Sequence, residues 1–183
     1  YQMFWNCTSL AKLDLSKFNT SNVKSMASMF QQCSALTSID VSSFDTSNVT
    51  NMDYIFDSCS SLTSLNLKNF TTKKLTSMVS MFQSCYKLAS LNISNFDTSN
   101  VTTMQSLFSR CNSLGNLDLS KFDTTKVTSM DQMFFNCYKI NTKLAIRNKS
   151  MKVYSYLSIL SGAARETGSK IVLDYTSETS DIV

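Results

Sequence analysis

Six cysteines are the side chains of this 183-residue chain best able to do chemistry. They stand at 7, 33, 59, 85, 111 and 137, a constant step of 26. A thiolate can attack a substrate, bind zinc or pair into a disulfide, and each use needs a partner. Histidine is absent, which removes His-containing metal sites, the Ser-His-Asp triad and the Cys-His pair. Zinc ligands usually converge from CxxC-type spacing, and none occurs. An even cysteine count leaves disulfides arithmetically open. Geometry argues against them. Equivalent side chains of stacked repeats point the same way, whereas a disulfide needs Cβ atoms ~3.5–4.5 Å apart. The cysteines are expected to be reduced, buried apolar fillers. The three glycines, Gly115, Gly162 and Gly168, stand alone and form no phosphate-cradling loop. Ser, Thr and Asn supply most of the polar surface, and they catalyse little without a base. The expectation is a non-enzyme with no cofactor and no metal.

Charge narrows the partners. Charged residues make up 16% of the chain, against a usual ~25%, and the net charge is +4. The longest basic run is Lys73-Lys74, too little clustering for a nucleic-acid footprint. No run of ~18 apolar residues exists, so no membrane insertion by this segment is expected. The opening YQMFWNC has no basic n-region and apolar h-region. Signal and anchor are expected outside this segment, with upstream repeats or a cap preceding Tyr1.

The cysteine period is shared by other columns, as expected of a repeat array. Phe4, Phe30, Phe56, Phe82, Phe108 and Phe134 each stand three residues before a cysteine. Leu10, Leu36, Leu62, Leu88, Leu114 and Ile140 each stand three after. Ile39-Asp40-Val41 alternates as a strand does. Met52, Ile55, Phe56 and Cys59 fall at i, i+3, i+4 and i+7 and predict a short helix. Thr50 and Asp53 read as its capping box, repeated at Thr102 with Gln105 and Thr128 with Asp131. One strand and one helical turn per unit make a leucine-rich-repeat coil. Five of the ten methionines share one column, from Met26 to Met130, and are expected in the core.

SMFQQCSALTSIDVSSFDTSNVTNM, residues 28–52, resembles the 26-residue repeat of BspA-like bacterial surface proteins, a branch of the leucine-rich repeats. The resemblance covers residues 1–140. It implies a secreted or wall-anchored protein with a role in adhesion and brings no catalytic residues. Lys73-Lys74 replaces the Ser-Asn of other units, and Thr71 replaces Asp or Asn.

The tail departs from the pattern. Leu144 and Ile146 arrive one residue late. Met151, Tyr154, Leu157 and Leu160 predict a helix ending near Gly162. Residues 171–175 read as a strand. The expected fold is therefore an α/β leucine-rich-repeat solenoid with a parallel sheet on one face and short helices on the other. Its array spans 1–140, and a degenerate last coil and C-terminal cap span 141–183.

Three surfaces are candidates for function. Asp14, Asp40, Asn66, Asn92 and Asp118 sit between inward residues and point out of the sheet, on the side where leucine-rich repeats commonly bind. This face is small, polar and nearly free of the aromatics that dominate tight protein interfaces. Thr20, Thr46, Thr72, Thr98 and Thr124 form a column expected near the surface, as in ice-binding solenoids. Trp5 occupies an exposed position where other units place Gln31, Asp57, Gln83 and Ser109; it packs on upstream sequence or marks a contact. The leading expectation is an extracellular, monomeric recognition or adhesion module at a bacterial cell surface. It would bind a host or neighbouring-cell surface protein or a glycan. A structural spacer is the alternative, and ice binding follows.

Overall fold

The structure is a computed structural model that describes residues 2–148 and 159–175. Among the described residues five short strands form, each paired in parallel: β1 Ser64–Asn66, β2 Ser90–Asn92, β3 Asn116–Asp118, β4 Asn141–Ile146 and β5 Lys170–Tyr175. β1 pairs with β2 in one sheet, and β3, β4 and β5 form a second in that order. Alternation explains the strands. Leu65, Leu91 and Leu117 turn inward, while the residues on either side of each are exposed. The equivalent stretches at 12–14 and 38–40 do not pair as strands, and Leu13 and Ile39 there are only half buried.

The expected short helices do not form. Within residues 2–148 the opposite wall is a chain of tight turns. Met29 N–H closes on Met26 O at 3.2 Å, and Cys33 N–H closes on Phe30 O at 3.1 Å. The third residue of each turn has a positive φ, 56° at Ser28 and 63° at Gln32, as a type II turn requires. The pair recurs as Tyr54 and Ser58, Ser80 and Ser84, Ser106 and Arg110, Gln132 and Asn136. Left-handed backbone costs an L-residue ~1–2 kcal/mol, so something must offset it. The rotated amide does. Ser28 N–H donates to Asp53 O at 2.9 Å and Gln32 N–H to Asp57 O at 2.8 Å, each in the next unit. Phe30 N–H between them donates to Ile55 O at 3.0 Å.

The Thr50–Asp53 capping box is likewise absent. Asp53 N–H is taken by Asn51 Oδ1 at 2.8 Å, and Thr50 Oγ1 donates to Lys24 O at 3.1 Å. Met151, Tyr154 and Leu157 of the expected tail helix lie outside the described residues. Ile159 is helical and residues 160–162 turn, so a helix does end near Gly162, whose φ of 72° is left-handed. A Cβ there would meet the Asn136 side-chain oxygen, and the left-handed φ strains any other residue. The turn ladder continues into the tail, with Phe134 N–H on Ile159 O and Asn136 N–H on Ser161 O, both at 3.0 Å. No helix among the described residues is long and apolar enough to cross a membrane.

Stacked units turn every apolar column into a ladder. The rings of Phe4, Phe30, Phe56, Phe82, Phe108 and Phe134 stack at 5.6, 5.5, 6.1, 5.7 and 5.8 Å, nearly parallel. The methionine column from Met26 to Met130 is buried, as expected. Burying a large apolar side chain contributes ~1.5–3 kcal/mol, and most units bury several.

The cysteines are free, and all but Cys7 are buried. They also use their one weak donor. Cys33, Cys59, Cys85, Cys111 and Cys137 donate S–H to the carbonyls of Phe4, Phe30, Phe56, Phe82 and Phe108 at 2.9–3.1 Å. Burial pushes the Cys33 thiol up to about 11 and the Cys137 thiol up to about 12. It raises Cys59, Cys85 and Cys111 well above the ordinary thiol range too. Thiolate, the reactive form, is thus suppressed. Ellman titration of the folded protein is expected to show slow, partial reaction. Denaturation without reductant is expected to release about six thiols; three disulfides by intact mass would contradict the ladder.

Candidate functional site

Asp14, Asp40, Asn66, Asn92 and Asp118 are all exposed, one per unit. Each is also held. Its Oδ1 accepts the backbone N–H two residues on, from Ser16, Ser42, Lys68, Ser94 and Ser120, at 2.9–3.2 Å. This Asx turn bends the chain out of the strand and fixes the side chain's direction. The Ser16 backbone N–H, then its hydroxyl, holds Asp14 below the usual carboxylate range. At Asp40 and Asp118 the hydroxyls of Ser42 and Ser120 contribute most, followed by their N–H groups. The three aspartates of the column therefore keep their charge into more acidic solution than a free aspartate.

The units bring these residues together in pairs. Asn66 registers with Asn92, and Asp118 with Lys143. Asp14 and Asp40 line a shallow depression of about 130 Å³ with Ser16, Ser42 and Ser43. Lys12, Ser38, Ser64, Ser90 and Asn116 flank the column on one side, and all are exposed. Ser16, Ser42, Lys68, Ser94 and Ser120 flank it on the other and are exposed as well. The face offers regularly spaced acceptors with hydroxyl and amide donors around them.

Sequence reasoning missed the charged end of this face. A cleft of about 260 Å³ opens among Leu117, Asp118, Leu119, Ser120, Lys143, Ala145, Arg147 and Asp174. Lys143 Nζ lies 3.3 Å and Arg147 Nη2 3.5 Å from Asp174 Oδ2. Arg147 Nη1 also donates to Asp174 O at 2.9 Å. The Lys143 ammonium, through its hydrogen bond and its charge, is the first cause holding Asp174 below the usual carboxylate range. The one signal in the sequence was the late arrival of Leu144 and Ile146, which marks a changed strand. It does not reveal that Ala145 pairs with Asp174.

The threonine column is not at the surface. Thr20, Thr46, Thr72, Thr98 and Thr124 are 0–4% exposed. Each hydroxyl bridges to the next unit. Thr72 Oγ1 donates to Asp97 O at 3.0 Å and accepts Asp97 N–H at 2.8 Å. Thr98 does the same with Asp123, at 3.0 and 2.7 Å. The hydroxyl thus replaces a backbone amide in the ladder, and this column presents no hydroxyls at the surface.

Trp5 is 49% exposed, as expected, but its column turns inward at Asp57 and Ser109, which are 8% and 2% exposed. Asp57 accepts from Gln31 Nε2 at 2.9 Å and from Ser58 Oγ at 3.1 Å, and its burial raises its pKa. Lys74 and Lys126 stand where other units have Asn22, Asn48 and Asn100; Lys74 donates to Asn48 Oδ1 at 2.8 Å, and Lys126 donates to Asn100 Oδ1 at 2.7 Å.

No curated protein and no solved structure matches this chain. A family model does, over residues 1–86 and again over 58–169, two overlapping matches that together cover most of its length. The doubled match is what a repeated sequence produces. The chain belongs to the family described as Mycoplasma protein of unknown function, DUF285.

Proposed function

We propose that this chain is a non-enzymatic recognition module displayed outside the cell, with its stacked units forming a BspA-like leucine-rich-repeat solenoid. It binds a surface protein or a glycan through the outward column of the strand face. The observation that carries this reading is that column: five exposed side chains, one per unit, each held by the backbone N–H two residues on. Preorganised polar groups lose little entropy on binding, which suits weak contacts repeated along an array. Residues 141–183 act as the cap, with β4 and β5 carrying the sheet beyond β3.

The test is a screen of immobilised extracellular-matrix proteins and glycans, followed by two triple variants. Asp40→Ala, Asn66→Ala and Asn92→Ala together are expected to abolish binding. Each change removes one exposed hydrogen bond, so stability should fall by only ~0.5–1.5 kcal/mol per site. The control set is Thr50→Ala, Thr76→Ala and Thr102→Ala, exposed on another wall of the coil. Binding lost in the control set and kept in the strand set would move the site off the strand face.

A further inference from the structure

The cleft at the end of the strand face differs from the rest of that face in shape and in charge. Asp118 ends β3 with its Asx turn to Ser120, while β4 and β5 run on through 144–146 and 173–175. The overhang creates the cleft. Leu144 and Ile146 point into the core and are fully buried, so Ala145 between them faces outward and leaves the floor open. Leu117 and Leu119 border the cleft but keep their side chains in the core, so Ala145 is the apolar surface beneath four charged side chains.

The charges balance: Asp118 and Asp174 against Lys143 and Arg147. Both cations already rest on Asp174. An anionic ligand would compete with Asp174 for the cations and meet Asp118 on the same cleft. A hydroxyl group has no such conflict, since it donates to a carboxylate and accepts from an ammonium or guanidinium at once. Asp118 accepts from the Ser120 N–H and hydroxyl, whereas a carboxylate has about four acceptor sites. Lys143 carries three N–H donors and is mostly exposed. A volume of about 260 Å³ lies just below the usual range for drug-sized ligands, which fits one ring better than a peptide segment.

The geometry points to a sugar-binding subsite in this cleft, taking one neutral, polyhydroxylated ring with its hydroxyls on Asp118, Lys143 and Arg147. This rests on the strand face being a binding surface and narrows its ligand to a glycan.

The full chain is tested on an array of neutral, sialylated and sulfated oligosaccharides, beside the Asp118→Asn and Lys143→Ala variants and the Asp40/Asn66/Asn92 triple-alanine variant. Asn66 and Asn92 show that asparagine holds this turn, so Asp118→Asn removes charge without removing the bend. Neutral glycans are expected to be retained, and each cleft variant is expected to weaken that retention at least tenfold with an unchanged denaturation midpoint. Undiminished binding by the cleft variants with loss in the triple variant would overturn the subsite and leave the face reading standing. Loss in the cleft variants alone would support the subsite and remove the column from the site. No retained neutral glycan, or preference for sialylated or sulfated ones, would overturn the subsite.

Discussion

Phe82→Ala is expected to destabilise the protein by ~3–5 kcal/mol, the range for deleting a buried ring. Phe82 is fully buried and stacks on Phe56 at 6.1 Å and on Phe108 at 5.7 Å. The cavity would lie between the rings of the two neighbouring units. Neighbour contacts are the main source of stability in a repeat array, so the loss falls on two interfaces at once. Ser43→Ala is the comparison. Ser43 is exposed and donates one hydrogen bond, to Leu15 O at 3.2 Å. It is expected to change stability by ~0.5 kcal/mol. Urea midpoints measured on both variants check this, and equal midpoints would mean the phenylalanine ladder is not the core.

Thr72→Val should destabilise by ~2 kcal/mol, far more than a near-isosteric change at a surface threonine. The methyl that replaces the hydroxyl can neither donate to Asp97 O nor accept from Asp97 N–H, so two backbone groups lose a partner at once. An unsatisfied buried group costs ~1–3 kcal/mol, reduced here because Asp97 is only half buried. Thr72→Ser retains the hydroxyl and should restore most of the loss. Thr50→Val is the exposed control and forfeits a single bond to Lys24 O. If Thr72→Val and Thr50→Val share a midpoint, the buried hydroxyl ladder is not a structural element.

The period of 26, the inward columns and the outward Asp/Asn column could be read from residue spacing, because stacking preserves every column. The helix could not be told from its alternative. Met52, Ile55, Phe56 and Cys59 are buried at helical spacing, yet the backbone between them turns left-handed at Tyr54 and Ser58. Glycine or asparagine would have announced those positions. Asn6 and Asn136 in this series do so; serine, glutamine, tyrosine and arginine hide others, because the compensating hydrogen bonds lie in the next unit. Thr72 was misplaced for a related reason: a hydroxyl that stands in for an amide has the same sequence pattern as one facing water. The strand read at 171–175, about one repeat step after Leu144, is β5. The cleft was not, since it depends on β4 outrunning β3 and on the pairing of Ala145 with Asp174.

Interchangeable ladders carry a hazard during folding. Phe30 could stack on Phe82 as well as on Phe56, looping out a whole unit, and no ring or thiol would register the mistake. Misassembly of this kind is a characteristic failure of repeat proteins. The unlike contacts distinguish the units. Asp57 answers Gln31, Ser77 answers Asp53 at 2.7 Å, Lys74 answers Asn48 and Lys126 answers Asn100. A skipped unit would set Gln31 beside Gln83 and Asn48 beside Asn100, and would forfeit the acid and the cation that each now meets. The places where the repeat breaks its own pattern thus serve as addresses, telling each coil which neighbour is its own.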